Sequence, residues 1–188
     1  MVTIMDNNQL FEKSKEFFEK GDVTNTLDTY EKAISQIYRS KDKEKEKSDY
    51  YQFLDNLLNH CRENNLKEEE ALVLRAMGRT YSIFKQYAES LKFHWESLKI
   101  ERKIGKKLDV AEGLVFLAED LELSGNFEEC IKTYQDAVNT YRELGKLRKA
   151  KEIQKEVDRL KEFSKQMLED EYYLSKFHID KKLSKELL

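Results

Sequence analysis

LKEEEALVLRAMGRTYSIFKQYAESLKFHWESLKIERKIG, residues Leu66–Gly105, runs straight into KKLDVAEGLVFLAEDLELSGNFEECIKTYQDAVNTYRELG, residues Lys106–Gly145, and the two forty-residue lines are one pattern written twice. Gly78 falls over Ala118, Tyr81 over Leu121, Tyr87 over Phe127, Ser90 over Cys130, Ser97 over Ala137 and Gly105 over Gly145. The endings Glu101-Arg102-Lys103-Ile104-Gly105-Lys106 and Tyr141-Arg142-Glu143-Leu144-Gly145-Lys146 repeat as well, which supports duplication. Each copy reads as two helices and a turn, with the closing glycine as a left-handed helix stop. A period of this size in a helix-rich chain means a stacked array, because one unit buries its apolar face only against a neighbour.

Upstream, Leu10, Phe11, Phe17 and Phe18 fall on one side of a helix over 7–20, and Gly21-Asp22 supplies a stop and a fresh start. Val23, Leu27, Tyr30, Ala33, Ile34 and Ile37 then mark a second helix, so 7–40 is a helical hairpin. Gly21 and Lys85 are 64 positions apart, or 40 plus 24, so an extra helix is expected over 48–64. Ser48 or Asp49 would cap it, and Tyr51, Leu54, Leu57, Leu58 and Cys61 form its stripe. Stepping back forty positions from Ser90 and Ser97 lands on Tyr50 and Leu57, large residues at small places, so this helix reads as an irregular spacer. The charged run Arg39–Lys47 reads as a solvated helix end or loop.

Downstream, Leu147, Ala150, Ile153, Val157 and Leu160 begin a helix over 146–168 that caps the last apolar face. The array is thus expected over 1–168, with hairpins at 7–40, 66–104 and 106–144. From Glu169 the chain changes character. Tyr172, Tyr173, Leu174, Phe177, Ile179, Leu183, Leu187 and Leu188 make 169–188 too apolar for a solvated tail. Such a segment folds back on the array, occupies its groove, or pairs with a second copy as a homodimer; Tyr172, Tyr173, Leu174, Phe177 and Leu183 are its expected contacts.

The residues at the hairpin crossings resemble those of tetratricopeptide-repeat proteins. In that family small residues sit where two helices press together, a large residue closes the first helix, and Gly-Asp or Gly-Asn plus an aromatic makes the turn. Ser14, Phe17, Gly21, Asp22, Thr26, Tyr30 and Ala33 fill these places first. Gly78, Tyr81, Lys85, Gln86, Tyr87, Ser90, His94 and Ser97 fill them next, then Ala118, Leu121, Gly125, Asn126, Phe127, Cys130, Tyr134 and Ala137. Bulk at such a crossing would push helix axes beyond their usual separation of about 8–10 Å.

The resemblance implies an all-α fold, a right-handed superhelical stack of antiparallel hairpins with a long C-terminal capping helix. It also implies an adaptor or scaffold whose concave groove takes a peptide or helix of a partner protein. The groove residues carried over are Arg75, Arg79 and Ser82, then Glu112, Val115, Glu119 and Glu122, with Lys155 and Arg159 from the cap. The family's carboxylate clamp has Lys and Asn where this chain has Arg75 and Arg79, followed here by acidic residues. A segment of alternating charge or an amphipathic helix suits that lining better than an acidic tail.

Composition sets the remaining expectations. Proline is absent and 38% of residues are charged with both signs interspersed, as in long solvated helices. The net charge of −3 supplies no basic field for nucleic acid. There is no long apolar run for a membrane, and Met1–Asp6 is too short for a signal-peptide core. Cys61 and Cys130 lie far apart in helical patterns and read as small core residues in a reducing cytoplasm. His60 and Cys61, as helix neighbours, diverge by about a hundred degrees and make no metal pair. No phosphate loop, Ser-His-Asp ordering or carboxylate pair stands out, so no enzyme, cofactor or metal is expected.

Overall fold

The computed structural model describes residues 5–37 and 43–186, with side chains over 5–37 and 47–169. Among these the chain is all helical: α1 Asn7–Glu19, α2 Val23–Ile37, α3 Lys43–Glu63, α4 Lys67–Ile83, α5 Tyr87–Ile104, α6 Lys107–Leu123, α7 Phe127–Glu143 and α8 Leu147–Glu186. Neighbouring helices pack in pairs: α1 on α2, then each of α3 to α7 on the next, with α4 also meeting α2 and α6.

One kind of turn makes nearly every junction. Its central residue is left-handed: Gly21, Asn65, Lys85, Gly105, Gly125 and Gly145 have φ of 75, 55, 59, 77, 81 and 68°. From Asn65 on, these residues recur every twenty positions, which is the true step of the chain. The amide after each bonds back five residues, as Gln86 N to Tyr81 O and Lys106 N to Glu101 O, both amides of a Schellman stop being used. That same residue's carbonyl then accepts the first bond of the following helix, as in Ser90 N to Gln86 O and Val110 N to Lys106 O. One residue therefore ends one helix and begins the next, and the hairpin has no slack. Lys85 holds a conformation that costs an L-residue roughly 1–2 kcal/mol. Lys85→Gly is therefore expected to stabilise the protein, by up to about 1 kcal/mol after the added freedom of the unfolded glycine, measured by urea unfolding. A loss would show that the long side chain does more than lie exposed.

Two helices differ from expectation in extent. α3 starts at Lys43 rather than at a Ser48 or Asp49 cap, since the Lys-Glu run before Ser48 consists of good helix formers. α3 ends in the standard turn, at Asn65, but its 21 residues exceed the 17 or 18 of α4 to α7, and its packing residues are bulkier. The boundary expected at 168 falls inside α8, a single helix of 40 residues, roughly 60 Å long. No proline or glycine interrupts 147–186, so nothing in the backbone calls for a break. The side chains of Tyr172, Tyr173, Leu174, Phe177 and Leu183 lie outside the described residues.

The equivalences of the repeat hold in burial: Gly78 and Ala118, Ser90 and Cys130, Ser97 and Ala137 all lie inside. Gly78 shows why bulk is refused there. A Cβ on it would stand 2.6 Å from Cε1 of His94, whose ring lies flat over that backbone. Ser90 and Cys130 do more than stay small: Ser90 Oγ donates to Gly78 O at 2.7 Å and Cys130 Sγ to Ala118 O at 3.1 Å, the same bond twelve residues back in both copies.

Apolar side chains form two cores. The first joins α1 to α4 through Phe11, Tyr30, Tyr50, Phe53, Leu54 and Leu57; the second joins Leu98 to α6, α7 and α8 through Leu114, Leu117, Tyr134, Val138 and Leu160. Tyr50 and Leu57 are completely buried. Rings fill the space at α3, with Phe11 and Tyr50 centroids 4.2 Å apart and Phe11 edge-on to Phe53 at 5.4 Å.

Candidate functional site

The seam between the two cores, where α4 and α5 meet α6, is polar. Asp120, 3% exposed, receives Ser82 Oγ, shares the single Ser90 hydroxyl proton with Gly78 O, and stands 3.2 Å from Nε2 of His94. Its place in the repeat explains the position: Tyr30 of α2 meets Thr80 of α4 at 2.8 Å, and forty residues after Thr80 comes Asp120, meeting His94 of α5. The next pair in the series, Tyr134 and Leu160, belongs to the second apolar core. Only the middle junction is ionisable on both sides. It holds serines, a histidine and an aspartate, and both serines face the carboxylate rather than the imidazole.

A second polar knot lies one turn-length away along α4. Arg75 is nearly enclosed, with Glu101, Asp109 and Glu112 carboxylates at 3.8, 3.9 and 3.7 Å. Three carboxylates around one guanidinium leave excess negative charge. Glu101 is 1% exposed and accepts from Ser97 Oγ at 3.2 Å, while its Oε2 has no hydrogen-bond partner. Burial raises its pKa, and the opposing effects of Arg75 and Ser97 do not cancel this. A carboxyl raised in the folded state keeps its proton to higher pH than in the unfolded chain, so stability falls as pH climbs from the ordinary carboxylate range through the folded value. Glu101→Gln is accordingly expected to stabilise the protein at pH 7 by more than about 0.5 kcal/mol, the usual bound on neutral surface changes. It should also reduce the gain on acidifying from pH 7 to about 5, followed by urea unfolding at both values. Destabilisation at pH 7 would mean that Arg75 depends on this carboxylate despite its two others.

An open groove of about 550 Å³ lies beside the seam, lined by Ser35 of α2, Arg79, Ser82 and Ile83 of α4, His94 of α5, and Phe116, Glu119, Glu122 and Leu123 of α6. Arg79 pairs with Glu31 and lies over the Phe116 ring, 4.8 Å from its centroid. Its burial lowers its pKa, against the pull of Glu119. Phe116 stacks in turn on His94. Arg159 Nη2 reaches both oxygens of Glu122 at 2.9 Å, tying α8 to α6. Glu119 is exposed to the groove but walled by protein; that confinement, then Asp120, raises its carboxyl pKa above the ordinary range.

The residues expected to face a partner therefore divide. Arg79, Ser82, Glu119 and Glu122 come together in the groove. Arg75 and Glu112 do not open onto it; they pair with each other, Glu112 also with Lys149 at 3.7 Å. Val115 is half-buried against the second core, Arg159 is bound to Glu122 and Glu156, and Lys155 lies exposed on α8. Phe116, His94 and Asp120 are the members that reading by position missed. A signal for the seam existed: Glu101 stands over Tyr141, and Asp120 falls between Thr80 and Leu160 in the forty-residue register, charges where the copies have apolar or hydroxyl groups.

Cys61 and Cys130 are buried free thiols, pushed by burial up to about 11 and about 12. His60 meets the edge of Phe18 rather than a metal partner. Among the described residues no three His, Cys, Asp or Glu are grouped to hold a metal ion, and no helix is long and apolar enough to cross a membrane. No protein-family model matches the chain, and no curated protein matches it.

Proposed function

We propose that this chain is an adaptor of the tetratricopeptide-repeat kind, its hairpins stacked in a right-handed superhelix whose concave face holds a helix or extended segment of a partner protein. It performs no chemistry of its own and works in the cytoplasm, a setting that suits two buried free thiols. The observation that carries the reading is the groove: Ile83, Phe116 and Leu123 give it apolar lining beside Glu119, and Leu123 is 59% exposed for so large an apolar residue. Apolar anchors flanked by a fixed charge are what a helix-in-groove contact uses.

The test is capture from lysate with the full chain and two variants, Leu123→Ser and Glu119→Lys. Both should keep wild-type helicity and recover less than about a tenth of the wild-type partner, since each removes an anchor-sized contribution. Undiminished capture by both would exclude the groove.

A second reading is favoured by α8. Phe163, Met167 and Leu168, spread over two adjacent turns, are 41, 49 and 65% exposed, a surface fit for self-association. Met167→Lys combined with Leu168→Lys would then lower the mass at sedimentation equilibrium and leave groove capture intact.

A further inference from the structure

The groove is short of hydrogen-bond donors and positive charge. The cation that lines it, Arg79, is already engaged with Glu31, and Arg159 outside it with Glu122 and Glu156. Glu119 has no ion pair or hydrogen bond among the described residues; Arg79 attracts it from across the groove, while Asp120, Glu122 and Glu156 add to the negative potential around it. His94 lines the same groove while 1% exposed, with Nε2 toward the Asp120 carboxylate and Nδ1 without a hydrogen-bond partner. Acceptors without donors, beside an aromatic face, define the chemistry of what is missing. A guanidinium brings five N–H donors, a permanent charge and a flat surface for stacking.

We propose that the partner segment in this groove is basic, and that it places an arginine side chain against Glu119 in the space between α4 and α6. This rests on the groove reading above and names its partner's charge. An acidic segment would bring a second carboxylate to Glu119 in a walled, partly desolvated space, where like charges are costly. Low-dielectric walls focus the field of Glu119 outward, so the preference should be steep and weaken with salt.

The probes are two labelled twelve-residue amphipathic helical peptides with the same leucines, one bearing arginines on its polar positions and the other glutamates, read by fluorescence anisotropy against the full chain. The arginine peptide should bind at least about tenfold tighter than the glutamate peptide, and Glu119→Gln should weaken it about tenfold, as expected for a charged hydrogen bond. Leu123→Ser should weaken it too. Equal binding of the two peptides, no binding of the arginine peptide, or indifference to Glu119→Gln would overturn the basic assignment; with Leu123→Ser still abolishing lysate capture, the groove would stand and its occupant be of other charge. Indifference of both assays to Leu123→Ser would overturn the groove and the assignment together. Displacement of the arginine peptide by an equal concentration of spermidine would overturn the assignment to a protein segment in favour of a free polyamine.

Discussion

Asp120→Ala is expected to destabilise the protein by about 2–5 kcal/mol, because the buried His94 ring and the Ser82 hydroxyl are left without their acceptor at about 1–3 kcal/mol each. It is also expected to split one unfolding transition into two. The carboxylate gathers Ser82 of α4, Ser90 and His94 of α5 onto α6, and it does so between two apolar cores to both of which α5 contributes, Phe93 and Ile100 on one side and Leu91 and Leu98 on the other. Without it the imidazole loses its carboxylate acceptor in a buried space, and Ser82 loses its bond. In a stacked array cooperativity is the strength of the junctions, so a weakened middle junction lets each core melt at its own temperature. Asp120→Asn keeps an acceptor oxygen and should cost less, about 1–2 kcal/mol. The double change His94→Tyr with Asp120→Thr copies the Tyr30 and Thr80 junction and should recover much of the loss. Calorimetry decides it: one sharp transition in Asp120→Ala, with a loss under about 1 kcal/mol, would show that the seam is not what couples the cores.

Tyr50→Ala is the second large effect, again about 3–5 kcal/mol, here from the cavity left by a fully buried ring. Tyr50 lies 4.2 Å from Phe11 and 6.0 Å from Tyr30, ring centre to ring centre, so it joins α3 to both helices of the first hairpin. The loss should be local. Hydrogen exchange of α1 and α2 amides should quicken toward the rate of an open segment, while α6 and α7, built on the other core, should keep most of their protection. Equal loss of protection at both ends would mean that the two cores behave as one. This outcome bears on α3 as a spacer: its large residues stand where α5 has Ser90 and Ser97, and they do structural work that small ones could not.

The regularities legible in the sequence were those that depend on near neighbours along the chain. Helix faces, the glycine stops and the small positions at Gly78 and Ala118 all rest on spacing within one helix or one turn, where three to forty residues decide the geometry. The groove was legible only in part. Arg79, Ser82, Glu119 and Glu122 were found by counting from the small position, and the same counting pointed Arg75 and Glu112 outward, although they pair with each other. Position on a helix face sets the direction of a side chain; it does not say which opposite charge arrives from the next helix.

Two features would have been available to a closer reading. The left-handed residues from Asn65 to Gly145 recur every twenty positions, but Asn65 and Lys85 are not glycine and so do not announce themselves. Glu101 and Asp120 are charges at core places of the repeat, visible against Tyr141 and Leu160. By itself the sequence determined that the chain is helical, that its hairpins repeat, and where its helices turn, because those follow from local backbone preference and apolar spacing. Only the tertiary structure decided that the middle junction is held by a buried carboxylate and that the groove's cation, Arg79, is already paired. Those contacts join residues 26 to 48 positions apart, and they exist only once one helix has been laid against another.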